Sequence, residues 1–123
     1  IVTESIYEAS NSSVHVTEKS LRPFFYYQFP IFLASPHHVM YLKNEYGFDL
    51  FEDILDHSYD HIFDDKERMN AVASEIKRIN NNKELFKDFY VKNKNRFIKN
   101  REIFFQKACE LKQKDTDFLW NFL

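Results

Sequence analysis

One glycine in 123 residues is the tightest constraint on this chain. Glycine takes positive φ angles cheaply and lets a backbone approach a ligand closely. Phosphate cradles built from glycine-rich loops depend on both properties. With Gly47 alone, neither a Walker loop nor a dinucleotide-binding fingerprint can form. Aromatic mass takes its place: fourteen Phe, seven Tyr and one Trp, 18% of the residues. Each such side chain buries a large area, which suits one domain of this length. Charged residues make up 29% and apolar runs are only a few residues long, so neither a membrane span nor a disordered tail fits. Cys109 is the only cysteine and cannot make an internal disulfide or a thiolate cluster. It reads as a small core residue. With no signal-peptide pattern, the expected location is cytoplasmic.

The first half reads as α/β. Ile1 to Ala9 has the β-branched residues and partial alternation of a strand. Thr17 then caps a helix opening at Glu18-Lys19-Ser20, which Pro23 should kink or break near its second turn. Pro30 to Ala34 is short and continuously apolar, as a strand buried in a parallel sheet would be. Ser35 is placed to cap a second helix with Pro36 at its first position, and Gly47 to end it in the left-handed region. Phe48 to Phe51 reads as a short edge strand. From Asp65 or Lys66 the period becomes helical, with Met69, Val72, Ala73, Ile76 and Ile79 on one stripe. Asn80-Asn81-Asn82 breaks it. One long helix should follow, carrying Phe86, Tyr90, Asn93, Phe97, Arg101, Phe104, Ala108 and Leu111, with Phe89, Ile98 and Phe105 widening its apolar face. The tail from Asp117 to Leu123 should dock back and bury the only Trp. The expected organisation is one domain or fragment, with an α/β core over 1–64 and a helical extension over 65–123.

A strand running into a helix N-terminus is where open α/β sheets hold ligands. That places the candidate binding residues at His15, Thr17, Glu18, Lys19 and Arg22. Free amides and Lys19 would meet a phosphate, and Arg22 would contact it bidentately. Glu18 would accept from ribose hydroxyls and His15 would donate to an oxygen. His37 and His38, in the first turn of the next helix, are placed to line the same cleft. A second cluster, His57, Asp60 and His61, has two imidazoles four residues apart, the spacing that shares one face of an α-helix. Its plainer use is structural, with Asp56 and Asp60 satisfying loop amides and Tyr59 burying its ring.

Charge is segregated. Residues 45–67 hold nine acids and one base, a net −8, while residues 83–114 hold ten bases and four acids, a net +6. The overall formal charge of −2 argues against nucleic acid. If the split serves self-packing, the acidic segment lies on the basic helix. If it serves a partner, a basic face stands free with exposed aromatics.

The string Val16-Thr17-Glu18-Lys19-Ser20-Leu21-Arg22-Pro23, followed by Phe29-Pro30-Ile31-Phe32-Leu33-Ala34, resembles the C-terminal part of glycosyltransferase-like proteins of phages, giant viruses and bacteria. Tyr41-Leu42-Lys43, Gly47 to Phe51, Ile54 to Asp60 and Arg68 continue that likeness. The Thr-Glu-Lys element is similar to the donor-binding segment of α1,3-fucosyltransferases. The resemblance implies a partial Rossmann-like unit of the GT-B C-terminal kind, with short parallel strands followed by long helices. It further implies that Glu18 holds ribose and that Lys19, with Arg22, neutralises the diphosphate of a nucleotide-sugar donor during transfer to a hydroxyl acceptor. No Asp-x-Asp motif sits in a suitable loop, so a metal-independent site without a tightly bound cofactor is expected. The expected partners are the nucleotide sugar, an acceptor-side half without which the fragment is inactive, and a second copy in a homodimer. The alternatives are a non-catalytic interaction or structural domain and a metal-dependent hydrolase built on His57, Asp60 and His61.

Overall fold

The computed structural model describes residues 2–3, 16 and 18–112, and five α-helices carry most of them. They are α1 (Glu18–Phe25), α2 (His38–Tyr46), α3 (Asp65–Asn80), α4 (Lys83–Lys92) and α5 (Lys94–Lys112). A 3₁₀ turn spans Ser58–His61. Among the described residues the only strand pairing joins β1 (Val2–Thr3) to β2 (Phe32–Leu33) in parallel, two residue pairs long. The α/β expectation is therefore wrong. A Rossmann-like sheet needs several long parallel strands covered on both faces, and this chain is a helical assembly with one short ladder. The likeness to glycosyltransferases fails on the same ground, because no GT-B sheet core is present among the described residues.

Pro30 to Ala34 misleads because a short apolar run signals burial without specifying what buries it. Ile31, Phe32 and Ala34 are indeed buried, and the Phe32 ring packs on Phe24 of α1 and His38 of α2. Phe48 to Phe51 is irregular chain with Phe51 at φ 55°, although Phe48, Leu50 and Phe51 are all buried. The expected cap also moves. His37, at φ 67°, precedes α2, and Ser35 is buried upstream of it. Gly47 does end α2 in the left-handed region, its amide bonded to Leu42 and Lys43 carbonyls. Pro23 sits inside α1, which stops two residues later.

α3 starts where its cap directs. Asp64 accepts from the Glu67 amide at 2.8 Å, and the asparagine run ends the helix. Its buried face is Arg68, Val72 and Glu75, so two charged residues occupy positions that an apolar stripe reading assigns to others. The expected long second helix is divided at Asn93, whose side-chain amide donates to the Phe89 carbonyl at 2.9 Å. That division lets α4 fold against Phe29 while α5 runs along α1. Phe24 stacks on Phe48 at 3.8 Å and Phe51 on Phe97 at 4.4 Å, and Phe29 meets Phe86, Tyr90 and Phe97. Cys109 is exposed, not a core residue, and Ile98 and Phe105 also face solvent. The tail expected to dock, 117–123, lies outside the described residues.

Candidate metal centre

Residues 47–64 form one irregular loop between α2 and α3, interrupted only by the 3₁₀ turn, and side chains from the helices hold it. Arg68, 1% exposed, donates to the carbonyls of Ala34, Ile62 and Phe63 and pairs with Asp65. Glu75 accepts from the Asp56 amide and pairs with Arg78, which also donates to the Ile54 carbonyl. From α5, Asn100 bonds both backbone groups of Asp49, and Arg96 grips Asp49 and Asp53 with four charge-assisted bonds of 2.7–3.0 Å. These contacts satisfy loop backbone groups that would otherwise be buried without partners.

Inside the loop, His57 and Tyr59 define a fixed hydrogen-bond chain. The His57 Nε2 lies 2.7 Å from the Leu50 carbonyl, which can only accept, so Nε2 carries the proton. Nδ1 therefore accepts from the Tyr59 hydroxyl at 2.8 Å, and that oxygen accepts the Phe32 amide at 3.2 Å. An imidazolium would present a second N–H to Tyr59 and disrupt this order. Burial pushes the His57 pKa below its ordinary value, outweighing the Leu50 carbonyl and nearby carboxylates. Burial likewise pushes the Tyr59 phenol up, against the Phe32 amide bond. His57 is thus committed to structure, and the hydrolase site expected at His57, Asp60 and His61 does not assemble as such.

Asp60 and His61 instead meet His37. One ligand atom from each of the three side chains lies within 4.8 Å of the other two. Asp60 is 3% exposed and its carboxylate caps α2 from outside, Oδ1 accepting the Val39 amide at 2.8 Å and Oδ2 the Met40 amide at 3.0 Å. Its carbonyl accepts the His37 amide at 2.7 Å. Those bonds bring His37 beside His61, with ring centroids 5.5 Å apart, while Phe63 packs edge-on against the His37 ring at 5.3 Å. The His37 Nδ1 is buried without a hydrogen-bond partner among the described residues. A left-handed, non-glycine residue carrying an unsatisfied ring nitrogen is costly, and such costs concentrate at functional positions.

The donor set fits a borderline divalent ion. Two imidazoles and a carboxylate are ligands of zinc and other first-row transition metals, not of magnesium or calcium, which take oxygen. Tetrahedral bonds of about 2.0–2.2 Å place ligand atoms roughly 3.3–3.5 Å apart. The exposed His61 can close that remaining gap by rotating. Each Asp60 oxygen spends one lone pair on an amide and retains another. Its negative charge also offsets the repulsion of a cation by the helix N-terminus. A cleft of about 760 Å³ opens beside Asp60 and His61. Its two strong cations are already engaged, Lys43 by Glu52 and Arg78 by Glu75.

Of the residues expected to bind a nucleotide sugar, three are described, and only Lys19 and Arg22 with their side chains. His15 and Thr17 fall outside the described residues, and Glu18 opens α1. Lys19 and Arg22 are exposed on α1, and neither lines the cleft. The nucleotide-sugar ligand, the glycosyltransferase class and the acceptor-side partner are corrected with the fold that implied them. A cleft carrying Glu52, Asp53, Asp56 and Asp60 would repel a diphosphate. Where a metal-independent site without a tightly bound cofactor was expected, three side chains that could hold a metal ion converge. The expected homodimer finds no support. No described helix is long and apolar enough to cross a membrane. No family model, curated protein or solved structure matches the chain.

The sequence pointed to two of the three members of this site. Asp60 and His61 stand in the His/Asp run, but His37 lies 23 residues before Asp60 and joins them only through the α2 cap. The one available signal was Asp60, three residues downstream of His57 in a loop whose carboxylates were expected to satisfy amides.

Proposed function

We propose that this chain is a non-catalytic helical domain in which a divalent transition-metal ion, held by His37, Asp60 and His61, ties the start of α2 to the 3₁₀ turn. The convergence of the three ligand atoms within 4.8 Å carries this reading. A structural role is favoured over hydrolysis by how the acid and base candidates are used. Asp60 is bound to two helix amides, and His57 has both ring nitrogens occupied.

Calorimetric titration with Zn²⁺ and thermal melts with and without the ion test this. Saturable binding at one site is expected, with a stabilisation of about 2.7 kcal/mol when free Zn²⁺ is a hundredfold above Kd. Mg²⁺ should do neither. His61→Ala, at an exposed position, should fold and lose the binding. Zn²⁺ binding that survives His61→Ala, or coincident melts with and without Zn²⁺, would refute the site.

A further inference from the structure

The charge split found in the sequence resolves unevenly. Among the described residues, the acidic loop draws its counter-charge on α5 from Arg96, through Asp49 and Asp53. The lysines of α4 are left on the outer side. Lys92 pairs with Asp88 on its own helix, Lys87 only distantly with Glu84 at 3.6 Å, and Lys83 has no ion pair among the described residues.

Lys83 and Lys87 flank a groove of about 470 Å³. Its floor is Phe29, Ile79, Phe86, Tyr90 and Val91, and it is almost wholly apolar. Val91 is 63% exposed, and Leu85 on the same helix is also exposed, so α4 presents apolar surface that the described residues leave open. The volume lies within the range of small-ligand clefts, ample for one bulky apolar side chain. Apolar patches rimmed by charge mark association sites more often than ordinary surface does. Pairing a buried anchor with a polar rim is how interfaces divide affinity from selectivity.

We propose that this groove docks an acidic peptide segment of a partner protein, with one bulky apolar side chain on the floor and flanking carboxylates on Lys83 and Lys87. The sign of the rim selects the partner's charge, and the floor requires an apolar anchor. Nucleic acid fits less well, because its affinity grows with many phosphate contacts and this rim supplies two lysines. The proposal is independent of the metal centre, which uses none of these residues.

Fluorescence anisotropy with labelled dodecapeptides tests it. Each peptide carries a central Trp, Phe, Leu, Ile or Met flanked by glutamates, and matched sets replace the glutamates by glutamine or lysine. At least one acidic peptide should bind at least tenfold tighter than its glutamine counterpart, and the lysine set should not bind. Lys83→Glu with Lys87→Glu should cost at least tenfold and turn the preference toward the lysine set. Val91→Asp, on exposed surface, should abolish binding while circular dichroism shows an unchanged fold. Three results would overturn the proposal: no acidic peptide binding below about 1 mM, equal affinity whatever the flanks, or unchanged binding in both variants. A single-stranded RNA that competes for the groove and loses affinity on the lysine change would replace it with a polyanion surface. Self-association abolished by Val91→Asp would replace it with a contact between copies.

Discussion

Removing a single buried oxygen, by Tyr59→Phe, tests the His57 chain. The ring stays, so the packing of Tyr59 in the core is nearly conserved. The substitution strands the Phe32 amide, which loses its acceptor at 3.2 Å, and the His57 Nδ1, which loses its donor at 2.8 Å. Leaving a buried polar group unpaired costs about 1–3 kcal/mol. Two such groups, less the relief of no longer burying a hydroxyl, give about 2–4 kcal/mol. With a urea m-value of about 2 kcal/mol/M, the middle of the range for a small domain, the unfolding midpoint should fall by about 1–2 M. The measurement belongs at pH 8, where imidazole is neutral in folded and unfolded chains alike, so no protonation difference enters. Tyr26→Phe is the control: that ring is 56% exposed and should change stability by less than about 0.5 kcal/mol. Nitrogen NMR of His57 supplies an independent readout and should show the proton on Nε2. A Tyr59→Phe loss no larger than the Tyr26→Phe control, or a proton on Nδ1, would refute the assignment.

Two further outcomes follow from the loop's anchors. In Asp53 the Arg96 hydrogen bonds lower the pKa against burial; in Asp49 burial pushes upward but Arg96 and the Phe51 amide outweigh it. Both folded values lie below the ordinary 3.8, so this stabilisation is present above that pH and is lost as pH falls through the folded values. Arg96→Met should cost about 1–2 kcal/mol near pH 7, discounted for solvent exposure, and the gap to the parent should shrink below pH 3.8; an equal gap at pH 7 and pH 3 would refute the clamp. At Gly47, φ is +78° and an added Cβ would meet nothing within 4 Å, so Gly47→Ala should cost about 1 kcal/mol by conformation alone and Gly47→Asn less, as read from urea midpoints.

What the sequence disclosed and what it hid divide along one line. Stops written in backbone chemistry were legible: Gly47 ends α2 and the asparagine run closes α3, whose start was expected at Asp65 or Lys66, whereas the start expected at Ser35 moved to His37. Positions whose meaning comes from tertiary partners were not. Arg68 and Glu75 look like solvated charges until loop carbonyls and amides are seen to need them. The His57/His61 spacing was read on an α-helical period. In a 3₁₀ turn of three residues per turn, four steps overshoot by a third of a turn. The two rings therefore diverge, His57 inward to Leu50 and Tyr59, His61 outward to His37.

The same divergence decides how the candidate site would respond to an ion. Ordering a flexible loop around a metal draws on binding energy, since each residue fixed costs about 1–2 kcal/mol of backbone entropy. In this domain the fixing is done by other contacts. Arg68 holds the loop's end through Ile62 and Phe63, Glu75 holds its middle through Asp56, and Asp60 is anchored by the α2 amides. His37 is set by its own amide bond to the Asp60 carbonyl. Two of the three ligands thus stand in place before any ion arrives, and His61 alone must turn. Metal affinity should then depend on α3 as well as on the ligands themselves, because loosening Arg68 would release the segment that carries Asp60 and His61.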